Sequence, residues 1–171
     1  MAIKFDYKSI FEDNTWTVVY DNAEGKSSEF YKIVKSEFEA SNYPNLDIQQ
    51  IEIDTKMAFF AAGDKREMVV VSAKGSAFFQ YQVFFSANRM GNVMMFSCME
   101  CMKRGIFAKL AGQSGGEISA LIRGKSQNLS QWEDFTALDN LSNIIFSKAL
   151  VKLDPNYKEQ KLLLAKGTGG K

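Results

Sequence analysis

The residues best suited to chemistry are two cysteines spaced as C-x-x-C in the stretch VMMFSCMECMKRG, residues 93–105. This spacing occurs in thiol–disulfide oxidoreductases and in zinc sites. Cys98 and Cys101 are the only cysteines of the chain. In an extended strand, residues three apart point to opposite faces, so these thiols could neither bind one ion nor bond to each other. We predict structural thiols in a buried strand; a redox pair and a metal site are the alternatives, and a helix would place both thiols on one side.

Histidine is absent from the sequence, which removes the commonest general base and the commonest metal ligand. Catalytic triads that depend on histidine are therefore excluded. Acid–base chemistry would fall to carboxylates, and the candidates near the unassigned segment 103–129 are Glu117, Glu133, Asp134 and Asp139. We expect no catalytic residue, no metal and no cofactor, and we keep a carboxylate-based enzyme as an alternative function.

Two G-K-S triplets share the last three residues of the phosphate-binding P-loop, at 25–27 and 124–126. The opening glycine of that motif is missing from both, because Tyr20 and Ser119 occupy the equivalent positions. Acidic residues near the first triplet would also repel a triphosphate. We therefore predict a turn followed by a helix that Ser27 caps.

Basic residues flank a run of aromatic residues in the stretch AFFQYQVFFSA, residues 77–87. An antiparallel meander would bring the turns GDKR and NRMGN to one end of the sheet, and with them Lys65, Arg66 and Arg89. This basic end could receive an anionic ligand or partner. Together with the aromatic residues it could also bind single-stranded nucleic acid, which is the least favoured partner.

Methionine is concentrated in the segment 90–102, where it suits either an irregular core or an adaptable binding surface. Met94, Met95 and Met99 would line a groove between the sheet and a C-terminal helix, to which Trp132 and Phe135 would contribute. We list these five residues with the three basic ones as the candidate binding site. An apolar ligand or a partner chain would fit this groove.

Length and composition indicate one domain. The chain has 171 residues, is 46% hydrophobic, and balances 21 basic against 20 acidic residues. It can therefore bury a core without disulfides, and its net charge gives no general attraction to nucleic acid. We assign residues 1–157 to a single α+β domain and 158–171 to a frayed tail. No run of 18 apolar residues is present, so we predict a cytoplasmic protein without a transmembrane segment.

The elements that must position these residues follow from periodicity. Residues 14–22 predict a strand, and helical spacing of apolar residues predicts a helix that follows it. Short connections between 46 and 102 then predict an antiparallel meander of about five or six strands. Residues 130–154 predict a long amphipathic helix with one apolar face.

The central strands are apolar on both faces, whereas a sheet with one wet face should alternate. Two helices can cover one face, so the second face is left for the unassigned segment, a ligand or another copy of the chain. We therefore predict a non-catalytic binding or protein-interaction module, with self-association as one of its forms.

Overall fold

In the part of the chain that the structure describes, the fold is a single sheet with two helices. The computed structural model describes residues 3–4, 10–21, 23–54, 65–74, 81–102 and 129–154. In chain order the elements are β1 (Ile3–Lys4), β2 (Ile10–Asp21), α1 (Ser27–Ala40), β3 (Leu46–Asp54), β4 (Lys65–Ala73), β5 (Tyr81–Met90), β6 (Val93–Met102) and α2 (Leu129–Leu153). The predicted α+β class is confirmed, with one helix before the meander and a long helix after it.

The strands lie in the order β1-β3-β4-β5-β6-β2. Strands β3 to β6 form an antiparallel meander. Strand β2, which precedes the meander in the chain, pairs antiparallel with β6. The two-residue β1 adds a short parallel strand beside β3. Gly91 and Asn92 connect β5 to β6, and Gly91 adopts the left-handed backbone with φ 64° that such tight turns favour. The predicted antiparallel meander is confirmed.

Two stretches that predict turns contribute residues to the neighbouring strands. The stretch GDKR predicts a turn, but β4 begins at Lys65, so Lys65 and Arg66 lie in the strand. The stretch NRMGN also predicts a turn, but β5 continues to Met90. In both cases these residues pair with the adjacent strand. Arg66 lies opposite Ile53 of β3, and Met90 lies opposite Val93 of β6, so their backbones are part of the sheet.

Helix α1 begins differently from the prediction. The N-cap position is Lys26 and makes no side-chain capping bond, while Ser27 is already helical, so the predicted cap at Ser27 is wrong. The backbone of Lys26 is itself near-helical, with φ −78° and ψ −4°. After Ala40 the chain turns through Asn42 and Asn45, both in the left-handed region that asparagine tolerates better than most residues.

Both helices pack on the same side of the sheet, which we call the helix face. Phe30 of α1 lies 5.0 Å from Phe96 between ring centroids, and Phe38 lies 5.5 Å from Phe85. Burial of this large aromatic and aliphatic surface is the main stabilising term of the fold. The fully buried apolar side chains of this core include Phe30, Val34, Phe38, Val69, Val71, Val83, Phe85, Phe96, Ile145, Phe146, Ala149 and Leu150.

The opposite side of the sheet, which we call the far face, carries a second apolar cluster. Met68, Val70 and Phe84 are only 4–6% exposed, and Ile51 and Met99 pack against them. Neither α1 nor α2 contributes to this cluster. The prediction that both faces are apolar at the centre of the sheet is thus confirmed.

Several predictions concern residues outside the described part of the chain. These are the strand expected at 56–62, the segment 103–129 with Glu117, and the tail 158–171. The assignment of 1–157 to one domain stays a prediction. Within the ranges that are described, neither helix combines the length and apolar character needed to cross a membrane.

Candidate functional site

The two cysteines lie on a strand, as the sequence predicts. In the β5–β6 ladder Cys98 pairs with Phe85 and Cys101 pairs with Gln82, so the two cysteines occupy strand positions of opposite parity; the side chain of Cys101 is outside the described part. Cys98 is fully buried in the helix-face core. Among the residues that the structure describes, no group of three or more potential metal ligands comes together.

The first G-K-S triplet has a structural role. Lys26 donates from Nζ to the carbonyl oxygen of Leu153 at 2.7 Å, and Tyr20 donates its hydroxyl to the carbonyl of Leu150 at 3.3 Å. Both bonds reach the last turn of α2: the carbonyl of Leu153 lies at the helix end, where intrahelical partners are lacking, whereas that of Leu150 also accepts from the Asp154 amide at 3.1 Å. The lysine therefore fixes the end of α2 to the start of α1. The second triplet lies outside the described residues.

The predicted basic residues share one end of the sheet but do not form one cluster. Alternation assigns Arg66 to the far face and Arg89 to the helix face. Arg89 forms an ion pair with Glu24 and donates from Nε to the Gly91 carbonyl at 3.0 Å. The side chain of Lys65 is outside the described part. Arg89 is thus already engaged within the chain, which limits what it can offer to an anion.

The methionines of the hairpin divide between the two faces. Met94 is buried in the helix-face core at 3% exposure. Met95 and Met99 are half-buried on the far face, and Met90 is 56% exposed on that face at the end of the hairpin. The predicted site residues Met94, Met95 and Met99 therefore do not line one groove.

The gap between the sheet and α2 is filled. From Leu138 to Leu153 the inward side chains of α2 are at most 4% exposed and belong to the helix-face core. The helix positions of Trp132 and Phe135 are described, but their side chains are not. Any groove between sheet and helix would therefore have to lie near the first turns of α2.

The aromatic run likewise does not form an open platform in the described residues. Tyr81 and Phe85 face the helices and are at most 1% exposed, and Phe84 is 5% exposed on the far face. Stacking of nucleic-acid bases requires accessible rings. Phe78 and Phe79 lie outside the described residues.

Sequence reasoning missed a buried polar group on the helix face. Glu100 is fully buried, and its carboxylate interacts with the neighbouring Tyr81 hydroxyl. Burial raises the pKa of Tyr81 well above its ordinary value, and the negative charges of Glu100 and Asp139 raise it further. In strand β6, Glu100 alternates to the same face as Met94, Phe96 and Cys98. An acidic residue among these apolar, inward-facing positions could have indicated the buried group from the sequence.

An apolar patch remains exposed at the hairpin end of the far face. Val19, on β2, is 54% exposed and is the ladder partner of Met95, while Met90 is the partner of the half-buried Val93. These four side chains alternate to the same face, and we call them the hairpin-end patch. A belt of small buried hydroxyl residues, Ser86 and Ser97, separates the patch from the buried far-face cluster.

A second open surface lies on the outside of the two helices. A groove of about 650 Å³ has an exposed apolar rim formed by Ile144 and Val151. Lys148 and Lys152 bind the carboxylate of Glu37 across it, at 3.3 and 2.5 Å. The lysine hydrogen bonds, that of Lys152 foremost, lower the pKa of Glu37. The two lysines that line this groove are therefore paired within the chain.

Comparison with protein-family models, with curated proteins and with solved structures finds no match to this chain. The function must therefore be argued from the geometry of the molecule.

Proposed function

We propose that the protein is a non-catalytic interaction module that binds a partner through the hairpin-end patch and the adjoining strand β2. The observation that carries the proposal is the pair Val19 and Met90, each more than half exposed and joined by the half-buried Val93 and Met95. Contiguous exposed apolar side chains are typical of interaction surfaces, whereas isolated ones are not informative.

The alternatives on the same molecule support this choice of surface. The helix face is filled by the core, and the centre of the far face is buried within the chain. The outer groove between the helices holds lysines that are paired with Glu37. The hairpin-end patch combines apolar character with exposure.

Native mass spectrometry of the protein, purified gently from cells that express it, tests the proposal. We expect a species heavier than one chain, whether it carries a partner protein, a second copy or an apolar ligand. The substitution Val19→Lys should reduce that species to the mass of one chain, because a charge on the patch opposes its burial.

The matched control is Ile144→Lys, which makes the same change at a similarly exposed apolar residue on α2. The control variant should retain the heavier species. A single chain without any addition in the unmodified protein would contradict the proposal, and so would an addition that survives Val19→Lys.

A carboxylate-based enzyme remains the second candidate, and one observation favours it. The charges of Glu100 and Asp139 both act on the buried phenol of Tyr81. Paired titratable groups with perturbed pKa values are common in active sites. Assays against a panel of ester and glycoside substrates, with Glu100→Gln as the control, test this function. Turnover that is lost in a folded Glu100→Gln variant would support it, and no turnover would remove it.

A further inference from the structure

The described sheet has one edge at β1 and β3 and the other at β2. At one edge, β3 is followed only by the two-residue β1. At the other edge, β2 is twelve residues long and has β6 as its single neighbour in the described part of the chain. An edge strand presents unpaired backbone N–H and C=O groups, which can accept a further strand. Because β1 pairs only with Ile53 and Asp54, both edges leave backbone groups open, and the exposed apolar side chain of Val19 distinguishes the edge at β2.

Only part of β2 is regular enough for such pairing. The register with β6 shifts between Ile10 and Thr15, and it is then unbroken from Thr15 to Asp21. The irregular start makes the first half of β2 a poor partner for an additional strand. The regular half, TWTVVYD, contains neither the lysine nor the proline with which proteins commonly protect an edge strand.

The charges of β2 indicate which strand would fit. The strand IFEDNTWTVVYD contains Glu12, Asp13 and Asp21 and no lysine or arginine. Two copies paired through β2 would bring only acidic residues together, because the strand contains no basic one, and like charges close to each other destabilise a sheet. A strand with basic residues at both ends would complement the acidic ends instead.

The side chains of β2 define the middle of the partner strand. Val19 is exposed on the far face, while Trp16 and Val18 are half-buried at the margin of the helix-face core. An added strand would cover all three if its own central residues were β-branched or apolar.

We propose that β2 binds an extended segment of another protein, with β-branched or apolar residues in its middle and lysine or arginine at both ends, as an additional antiparallel strand. This inference rests on the proposed function and names its partner. The bound segment would cover Val19 and would neutralise Asp21 at the end of β2.

Fluorescence anisotropy with the full chain and labelled synthetic peptides tests the inference. The peptide KKVTVTVKK should bind about tenfold more tightly than EEVTVTVEE, because several unfavourable charge pairs are exchanged for favourable ones. Its affinity should fall with added salt, since the charged ends are exposed. The peptide KKVTPTVKK carries the same charge, but its proline prevents pairing, so it should bind much more weakly.

Variants of the chain test whether the peptide binds at β2. Val19→Lys should weaken binding of KKVTVTVKK about tenfold by adding a like charge and removing an apolar contact, whereas Ile144→Lys should leave it unchanged. Hydrogen exchange should slow at amides of residues 15–21 when the peptide is bound.

Three results would overturn the inference. The first is the absence of binding by KKVTVTVKK, and the second is equal binding by the proline peptide, which would indicate charge attraction alone. The third is a dimer that Val19→Lys dissociates, because a second copy would then occupy the edge. In the first and third cases, a heavier species that depends on Val19 in native mass spectrometry would still support the proposed function.

Discussion

The two faces of the sheet are both apolar at their centre, yet they are completed in different ways. The helix face is covered by α1 and α2 and contains large aromatic side chains in direct contact, such as Phe30 and Phe96. The far face has a smaller buried cluster, a belt of serine hydroxyls and then the exposed hairpin-end patch. The difference indicates that the helix face stabilises the fold, while the end of the far face is left exposed.

The largest expected effect is on the helix face. Phe96→Ala should lower the free energy of unfolding by about 3–5 kcal/mol, because it leaves a cavity beside Phe30 and Tyr20. Urea denaturation measures the change. Val19→Ala on the far face is the control and should change it by less than about 0.5 kcal/mol, since the side chain is mostly in water already. Similar losses for both variants would contradict the division of roles.

A smaller effect is expected at the buried polar group. Tyr81→Phe should cost about 1–3 kcal/mol, because the buried carboxylate of Glu100 loses a polar neighbour. Tyr43→Phe is the matched control, since its hydroxyl donates to the carbonyl of Asp134 at an exposed position, and it should cost less. Equal costs would show that Glu100 does not depend on Tyr81.

The pH dependence of stability distinguishes the same two tyrosines. Because burial raises the pKa of Tyr81 above 10.0, the folded protein keeps this proton at pH values where the unfolded chain has lost it. Stability should therefore fall as the pH rises above 10, by up to about 1.4 kcal/mol per pH unit for one phenol. Burial also raises the pKa of Tyr43. Tyr81→Phe should nevertheless reduce the slope of stability against pH more than Tyr43→Phe does. An unchanged slope in Tyr81→Phe would contradict the assignment.

The smallest effect is expected at the outer groove. Glu37→Gln should cost at most about 1 kcal/mol at neutral pH, since Lys148 and Lys152 are both more than half exposed. The lysine hydrogen bonds lower the pKa of Glu37, so this contribution is present above the ordinary value of 4.5 and is lost as the pH falls through the lowered one. Thermal melting between pH 3 and 7 measures it, and a difference between variant and parent that does not shrink in acid would contradict the ion pairs.

The sequence predicted what depends on local periodicity. Local sequence patterns predict both the long helix α2 and the strand that carries Cys98 and Cys101. The spacing of the two cysteines puts them at strand positions of opposite parity. The meander follows from short connections between strands. These properties need no knowledge of distant contacts.

The rest depends on residues that are far apart in the chain. Lys26 binds the carbonyl of Leu153 across 127 positions, and no local pattern at the G-K-S triplet indicates this bond. The strand positions of Lys65 and Arg66 follow from pairing with β3 rather than from their turn-forming neighbours. Local patterns likewise predicted which hairpin methionines share a face of the sheet. They did not predict which of the two faces the helices would cover. Of the hairpin-end patch, Met95 alone is among the candidate site residues that the sequence predicts.

Methionine oxidation tests the central contrast between the two faces most directly, because Met90 and Met94 lie on the same hairpin. After brief treatment with hydrogen peroxide, peptide mass spectrometry should find Met90 oxidised first, Met95 more slowly, and Met94 and Met68 last. This order would agree with an open hairpin-end patch and a sealed helix face. Oxidation of Met94 as fast as that of Met90, or protection of Met90 in the isolated chain, would contradict the account.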